Sequence, residues 1–392
     1  MRTVYFDHNA TTPVHPEVAK AVAPYLGALF GNPSSIHWAG RDVRKGIEDA
    51  RQEIAAFFGC QPLEIVFTSS GSESDNLAVK GVAFRKGNAG KHIVTSAVEH
   101  PAVMNACRFL ESRGFRVTYV PVTREGIVEP DAVRKALTPD TILVSIMHAN
   151  NETGCIMPIA EIGAMVREAG ILMHTDAVQA AGKIPIDFAS LPVDLLTFSG
   201  HKVNALKGAG GLIVRKGVEI EALVHGGHQE RGRRGGTENV VGIVAMGKAF
   251  SLLRGGMAEE TAETRRLRDR FEKGLFARVP DLVLNGHPAA RLPNTVNISF
   301  RFVEGEAMLL NLDMMGIACS SGSACTSGSL EPSPVLTAMG ADPTDAQGAL
   351  RFSLGYGNTD ADVDYAIEAI EAVVRKLRAL SPLANPREAK VR

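Results

Sequence analysis

Reactive and hydrogen-bonding side chains follow several short apolar runs of the sequence, at the points where strands would end. The first group, residues 69–74, follows the run 64–68 and includes Gly71 and Ser72. A Ser/Gly-rich turn that opens a helix offers backbone N–H groups, hydroxyls and the positive end of the helix dipole to a phosphate. A plain helix N-cap explains such a turn about as well. This group by itself leaves both interpretations open.

The next two polar groups contain a histidine and an asparagine. His100 precedes Pro101, and because proline favours the first turn of a helix, we expect His100 to face the strand ends. There it could stack on a ring or move a proton. A structural role is the alternative for a lone histidine. Asn151 belongs to the polar cluster 148–154, for which an Asx-type turn is the alternative.

An acid and an amide follow the run 171–174. Asp176 and Gln179 are three residues apart, a spacing that allows both side chains to point into one crevice. A carboxylate there suits a pyridine nitrogen, because it keeps the ring protonated and able to absorb the electrons of a carbanion. An ordinary exposed aspartate is the alternative interpretation.

A lysine follows the run 195–198, after Ser199 and His201. Lys202 is placed to condense with an aldehyde and afterwards to serve as a base. Exposed lysines are common, so Lys202 alone predicts little. Ligands of open parallel sheets bind at the carboxyl ends of the strands, however, and all of these polar groups are expected at that one edge. Their convergence favours a common site.

Two basic positions downstream could bind anions. The flexible segment 231–237, which ends at Thr237, could grip an anion or lie at a subunit contact; a solvated loop is the alternative. Arg351 precedes a Gly-rich bend and could bind a carboxylate through the rigid fork of its guanidinium. A surface arginine is the alternative there.

Cys325 lies among small residues in the segment 321–328. Buried cysteines normally have apolar neighbours, whereas the small neighbours of Cys325 cannot bury it and can let it move. We therefore expect a thiol that can reach first a sulfur donor and then an acceptor. Cys319 could pair with Cys325 as a metal or disulfide couple, but the spacing and the missing ligand neighbours make a poor site. We expect no metal.

The elements that must position these residues indicate an α/β protein. Short apolar runs alternate with helical stretches, which predicts a mostly parallel sheet covered by helices; the runs are 64–68, 91–96, 141–147, 171–174, 195–198 and 211–215. After Gly255 a long charged helix begins a second lobe. We predict a large domain at 15–255 and a small domain formed by 1–14 and 256–392, the latter carrying the Cys325 loop.

Composition excludes some classes of partner. The chain has 392 residues, 42 of them basic and 43 acidic, with a formal charge of −1, so no global field attracts nucleic acid or an anionic membrane. The N-terminal residues lack the apolar run of a signal peptide, and we expect a soluble, cytoplasmic protein. Five scattered cysteines, an odd number, favour free thiols in a reducing compartment.

Taken together, these motifs closely resemble the cysteine desulfurases of the NifS/IscS type, in the class V branch of the fold-type I pyridoxal-phosphate enzymes. The resemblance extends from Tyr5 to about Leu383 and keeps the order and spacing of the family's motifs, at 68–76, 99–101, 150–152, 176–179, 199–202, 231–237, 320–328 and 351–355. It implies a large domain with a mostly parallel seven-stranded sheet and a smaller α+β C-terminal domain. It also implies conversion of L-cysteine to L-alanine, with the sulfur held as an enzyme persulfide.

The resemblance implies a role for each candidate. Lys202 would form the Schiff base with pyridoxal 5'-phosphate, Asp176 would contact the ring nitrogen, and His100 would stack on the ring and handle thiol protons. Gln179 would lie near the ring oxygen, and Asn151 near the ring or substrate. The phosphate would contact Gly71, Ser72, Ser199, His201 and, from the second subunit of a homodimer, Thr237. Arg351 would hold the substrate carboxylate. Cys325 would be the nucleophile, on a loop that resembles those passing sulfur to acceptor proteins such as an iron–sulfur scaffold.

The sequence departs from the family at two places. Ser72 stands where the family more often has threonine, and both residues carry a hydroxyl. The segment 203–208 lacks the usual Gly-Pro before Lys207-Gly208, which could alter the turn that supports Lys202. A class V aminotransferase, a β-lyase, a selenocysteine lyase and a scaffold protein with the same fold are the alternative functions. Iron–sulfur cluster assembly and other sulfur-transfer pathways are both compatible with the sequence.

Overall fold

A seven-stranded sheet forms the centre of the larger part of the molecule. The computed structural model describes residues 2–86, 90–321 and 332–381, so Cys325 lies outside the described residues. The strand order is β2-β8-β7-β6-β5-β3-β4. The strand β8 runs antiparallel to both β2 and β7, and the other neighbouring strands pair in parallel. These strands are β2 (Ile65–Thr68), β3 (His92–Ser96), β4 (Arg116–Val120), β5 (Thr141–Ser145), β6 (Leu172–Asp176), β7 (Leu195–Ser199) and β8 (Gly210–Val214). The predicted mostly parallel sheet is confirmed.

Helices cover both faces of this sheet. Their buried side chains form two cores with the strands, one built around Phe58, Phe198 and Phe250 and the other around Leu77 and Leu110. The helices of this part are α1 (Pro16–Val22), α2 (Trp38–Phe58), α3 (Gly71–Lys86), α4 (Pro101–Glu111), α5 (Pro130–Ala136) and α6 (Ile159–Glu168).

The strand β4 was missing from the six predicted runs. Its first residues are exposed or half-buried, and only Val120 is buried, because β4 lies at the edge of the sheet. An edge strand of this kind lacks the continuous apolar run by which buried parallel strands are recognised.

A smaller sheet organises the second part of the molecule. Its order is β12-β13-β10-β9, entirely antiparallel, and the N-terminal strand β1 (Val4–Tyr5) pairs in parallel with β11 (Ile317–Ala318) nearby. The remaining elements are β9 (Leu282–Asn285), β10 (Thr295–Phe300), α8 (Gly305–Met314), β12 (Ser320–Ser321), α9 (Pro334–Ala338), α10 (Pro343–Gln347), β13 (Ala349–Ser353) and α11 (Asp360–Leu380). Phe6 packs edge-on against Phe271 in this core, so the N-terminus belongs structurally to it.

One helix, α7 (Val240–Arg278), joins the two parts. Ile243 and Phe250 pack in a core of the large sheet, whereas Leu267 and Phe271 pack in the core of the small one. The helix therefore begins earlier than the sequence suggested, and Gly255 lies in its middle. Among the described helices, α7 alone is long and apolar enough to cross a membrane, but many of its apolar side chains, such as Phe250 and Phe271, are buried in these cores.

Close packing between α2 and α7 depends on Gly247. A Cβ at Gly247 would lie 2.4 Å from the Cβ of Ala50 and 2.5 Å from its Cα. We expect Gly247→Ala to lower the free energy of unfolding by about 1–3 kcal/mol, because the two helices must separate. Gly255→Ala is the control on the same helix: nothing lies within 4 Å of its Cβ position, and helix propensity predicts a gain of up to about 1 kcal/mol. Urea unfolding measures both; equal effects would contradict the packing argument.

Candidate active site

A cavity of about 340 Å³ lies at the carboxyl ends of the parallel strands. It brings together nearly all the residues predicted from sequence, namely Gly71, Ser72, His100, Asn151, Asp176, Gln179, Ser199, His201, Lys202 and Arg351. Ser70, from the predicted group 69–74, also lines it, and sequence reasoning gave no role to the rest of its lining, which is Asn9, Ala10, Asp75, Met147 and Val178. Thr237 is exposed and does not line this cavity.

One end of the cavity is built for an anion. Gly71 is the first residue of α3, where free backbone N–H groups and the helix dipole favour negative charge. A Cβ at Gly71 would lie 2.9 Å from Val178 Cγ2 and 3.5 Å from Ser199 Cβ, so a side chain would fill the space. The hydroxyl oxygen of Ser199 is buried and, within the described part of the chain, has no hydrogen-bond partner. These features fit a phosphate group.

Asp176 provides a carboxylate at the end of β6. It is 6% exposed, and its Oδ1 accepts a hydrogen bond of 2.9 Å from the backbone N–H of Val178. Burial raises the pKa of Asp176 to about 6, while this hydrogen bond and the charge of Lys202 oppose the rise. The carboxyl is therefore ionised near neutral pH and suits a protonated ring nitrogen.

Two further carboxyls, Asp75 and Glu99, are buried close to Asp176. Burial and the charge of Asp176 raise the pKa of Asp75 well above its usual range, and burial raises the pKa of Glu99 to about 8. His174 lies 3.7 Å from Asp75, but burial lowers its pKa to about 3, so it supplies no positive charge. Burial thus favours the protonated form of both Asp75 and Glu99, whereas the hydrogen bond from Val178 and the charge of Lys202 favour the ionised form of Asp176.

His100 is held as a neutral ring at the N-cap of α4. Its Nδ1 accepts a hydrogen bond of 3.1 Å from the backbone N–H of Ala102, which leaves the hydrogen of the neutral ring on Nε2. Burial, assisted by the charge of Lys202, lowers the pKa of His100 to about 4. The predicted helix start at Pro101 is confirmed.

The amine of Lys202 is bound by the N-terminal segment. Its Nζ donates to the carbonyl oxygens of Asn9 at 2.5 Å and Ala10 at 2.6 Å. The Asn9 carbonyl also accepts from Gln179 Nε2 at 3.0 Å. Asn9 is therefore a central residue of the site, and the only signal for it in the sequence is a polar stretch directly after the two-residue strand β1.

Hydrogen bonds hold the unusual turn after Lys202 in place. Asn204 adopts a left-handed conformation with φ of 60°, which asparagine tolerates better than most residues. Its backbone N–H donates to Thr12 Oγ1, and its side-chain amide donates to the carbonyl of Pro13, both at 2.8 Å. Ala205 is 1% exposed and donates to the carbonyl of Gly200. The N-terminal segment thus braces the turn at the place where the sequence departs from the family.

Arg351 presents part of its guanidinium to the cavity. The residue is 2% exposed; its Nη2 donates to Asp7 Oδ1 at 2.8 Å and its Nη1 to the carbonyl of Asn151 at 3.0 Å. Its Nε is buried and has no hydrogen-bond partner among the residues that the structure describes. A buried, unused donor on a cation is suited to binding a carboxylate.

The described cysteines are not activated. Cys60, Cys107, Cys155 and Cys319 are free, and burial raises the pKa of each thiol. Within the described ranges no group of three or more His, Cys, Asp or Glu side chains could hold a metal ion.

Comparison with known proteins identifies relatives over almost the whole chain. The aminotransferase class-V family model matches residues 4–366. "Cysteine desulfurase IscS" of Dictyoglomus turgidum is 51% identical over 381 residues, covering 97% of either chain. Among solved structures, a NifS-like protein superposes with a TM-score of 0.90 at 38% identity, over 96% of this chain and 100% of its own. SspA, solved in complex with cysteine, gives a TM-score of 0.81 at 38% identity, over 90% of this chain and 99% of its own.

The buried Glu99 predicts a pH-dependent difference in stability. Its folded-state pKa of about 8 lies above the ordinary value of 4.5, so the stability that its protonated form provides is lost as the pH rises from 4.5 through 8. Glu99→Gln mimics the protonated form and avoids this loss. We expect the difference in unfolding free energy, Glu99→Gln minus wild type, to increase by about 3–5 kcal/mol from pH 5 to pH 9. Parallel curves in urea unfolding would contradict the assignment.

Proposed function

This chain belongs to the class-V aminotransferase family and, within it, to the cysteine desulfurases, and on that premise we propose the reaction and residue roles that follow. The substrate is L-cysteine, the products are L-alanine and a persulfide on Cys325, and the cofactor is pyridoxal 5'-phosphate bound at Lys202. The observation that supports this proposal most strongly is the single cavity that joins Lys202, Asp176 and Arg351. The cysteine bound in the related SspA structure supports the choice of substrate.

The residues of the cavity fit pyridoxal phosphate at both ends. The N-terminus of α3, with Gly71 and Ser72, would hold the phosphate together with Ser199 and His201. Asp176 would keep the ring nitrogen protonated, and His100 would stack on the ring. When bound, the cofactor supplies an electron sink that stabilises negative charge at the substrate Cα.

Lys202 and Arg351 would act on the substrate itself. Arg351 would bind the substrate carboxylate through its Nε. This contact would fix the direction of the substrate Cα–H bond within the cavity. Lys202, as a free amine, would remove the Cα proton. Asn151, whose carbonyl accepts from Arg351, would assist at the ring or substrate. In this proposal, substrate binding and proton abstraction fall to different side chains.

Cys325 would take the sulfur as a thiolate, since the thiolate is the nucleophilic form of cysteine. A bond forms between Cys325 Sγ and the substrate sulfur, and the substrate Cβ–S bond breaks, with its electron pair going to Cβ. Protonation at Cβ and return of the Cα proton complete L-alanine. The balance is L-cysteine plus a thiol giving L-alanine plus a persulfide, with no external oxidant or reductant.

The helix cap limits what His100 can do with protons. With Nδ1 committed to Ala102, the neutral ring can donate a hydrogen bond from Nε2. It can accept a proton only after it releases the cap. We keep His100 as the candidate for handling the thiol protons of Cys325, and a His100→Gln variant that binds cofactor and forms persulfide at an unchanged rate would remove it from that role.

We also propose a homodimer in which Thr237 contacts the phosphate of the other subunit. The segment before Thr237 is anchored by Glu230, which is 6% exposed and pairs with the buried Arg51 at 2.7 Å. Glu230 also accepts from the backbone N–H of Phe67 in β2 at 3.0 Å. A firmly anchored segment with an exposed Thr237 at its end is consistent with a contribution to another subunit.

The sulfur acceptor is proposed to be a protein, such as an iron–sulfur scaffold, and the reaction is proposed to take place in the cytoplasm. The resemblance of the loop around Cys325 to desulfurases that hand persulfide to partner proteins supports this choice. Neither nucleic acid nor a membrane is needed as a direct partner.

The first test measures products. Cofactor-loaded protein with L-cysteine and a reductant is expected to give equimolar alanine and sulfide. Cys325→Ser should lose at least about 99% of this activity while retaining bound cofactor, because the loss of the attacking thiolate leaves no sulfur acceptor. Lys202→Ala should lose both the yellow absorbance and the activity. Cys60→Ser, which changes a free thiol that does not line the cavity, is the control.

Other outcomes of this test favour other enzymes. Pyruvate in place of alanine, or product unaffected by Cys325→Ser, would favour a β-lyase or an aminotransferase. A far higher rate with L-selenocysteine, insensitive to Cys325→Ser, would favour a selenocysteine lyase. A wild-type protein that binds no pyridoxal phosphate would favour a scaffold.

Arg351 can be tested by the substrate group that it binds. Arg351→Lys should raise the KM for L-cysteine about 10- to 100-fold, since an ammonium replaces a planar, charged donor set. Turnover of cysteamine, which lacks the carboxylate, should change little. Arg270→Lys alters an exposed arginine paired with Asp364 and is the control. Equal losses with both substrates would mean that Arg351 only supports the structure.

A further inference from the structure

Lys183 has no role in the reaction described above, yet its amine lies beside the site. It lines a small cavity of about 40 Å³, and Lys202 lines both this cavity and the larger one. Its Nζ donates two hydrogen bonds of 3.1 Å, one to the backbone carbonyl of Gln179 and one to Gln179 Oε1. Both bonds therefore go to Gln179, which is one of the residues that line the larger cavity.

The electrostatic surroundings of Lys183 are unfavourable for a cation. Burial, assisted by the charges of Lys202 and Arg351, lowers the pKa of Lys183 to about 7. The small cavity is also lined by the titratable groups Lys202 and Tyr356, by His8, whose pKa burial lowers to about 4, and by Glu260, whose pKa burial raises. Among the described residues, no carboxylate lies within ion-pairing distance of Lys183. A lysine that only filled space would extend its amine to water instead.

The bonds from Lys183 decide which way the Gln179 amide points. Because Oε1 accepts from Lys183, Nε2 must face the opposite way, where it donates to the Asn9 carbonyl at 3.0 Å. The same carbonyl accepts from the reactive amine of Lys202. A continuous hydrogen-bonded chain therefore runs from Lys183 through Gln179 and Asn9 to Lys202.

We propose that Lys183 is a positioning residue that holds Gln179 with its N–H group toward the cofactor cavity. This inference rests on the proposed function, in which Gln179 lies near the ring oxygen. A donor at that oxygen stabilises its negative charge, and so lowers the proton affinity of the group that Lys202 forms with the cofactor. Without Lys183, only the hydrogen bond from Nε2 to the Asn9 carbonyl opposes rotation of the amide, and a turned amide would present its oxygen, which has the opposite effect.

The test is a pH titration of the absorbance of bound pyridoxal phosphate. Lys183→Met should raise the pH midpoint of the absorbance change by about half a unit or more, a roughly threefold change in proton affinity. Lys248→Met, a lysine on α7 away from the site, is the matched control and should leave the midpoint unchanged. An unchanged midpoint in Lys183→Met would overturn the inference, because a merely structural lysine alters stability without moving this midpoint.

A second pair of variants separates positioning from the charge of Lys183. In Gln179→Leu, Lys183 has no side-chain amide to hold, so adding Lys183→Met should move the midpoint by less than half as much as in the wild type. An equal shift in both backgrounds would mean that Lys183 acts through its charge alone, which overturns the proposal. If Lys183→Met unfolds, Lys183→Gln, which keeps an N–H donor, replaces it and should give a smaller shift in the same direction.

Failure of the proposed function gives a different result. A wild-type protein without the absorbance of bound cofactor would overturn the proposed function and this inference together. A wild-type protein that binds cofactor and forms alanine, with a midpoint insensitive to Lys183→Met, would overturn the inference alone.

Discussion

The cost of removing charged groups from water is the constraint on which this site depends. Three basic side chains, Lys183, Lys202 and Arg351, lie close enough to influence one another; Asp176 lies near Lys202, and Asp7 pairs with Arg351. Such charges are tolerated in a protein interior only where hydrogen bonds replace the lost water. Here backbone carbonyls provide many of these hydrogen bonds, since the carbonyls of Asn9, Ala10 and Gln179 accept from the two lysines.

The N-terminal segment is the element that meets this constraint. Asn9 contacts both parts of the molecule: its side chain donates to Thr295 at 2.9 Å and to the Asn151 carbonyl at 3.2 Å, and its carbonyl accepts from Lys202 and Gln179. Thr12 and Pro13 brace the turn after the lysine. Residues far from the lysine in sequence therefore fix the position of its amine, and the altered turn at Asn204 is accommodated because they do so.

Much of the large sheet and most of the cavity could be predicted from sequence, because buried parallel strands leave continuous apolar runs and the residues after them must converge. Arg116–Val120 was not predicted since an edge strand is half-exposed, and the start of α7 was placed too late because its first half is apolar and its second half charged. Asn9 and Lys183 act through contacts that only the tertiary structure creates. Neither has a local pattern that distinguishes it from an ordinary polar residue.

The position of α7 affects how the molecule unfolds. Its first half completes the large core and its second half completes the small one, so loss of the helix exposes apolar surface in both. Local unfolding of either part is thereby coupled to the other, and the chain is expected to behave as one cooperative unit. A polypeptide divided at Gly255 would leave two fragments, each lacking half of the helix that joins them.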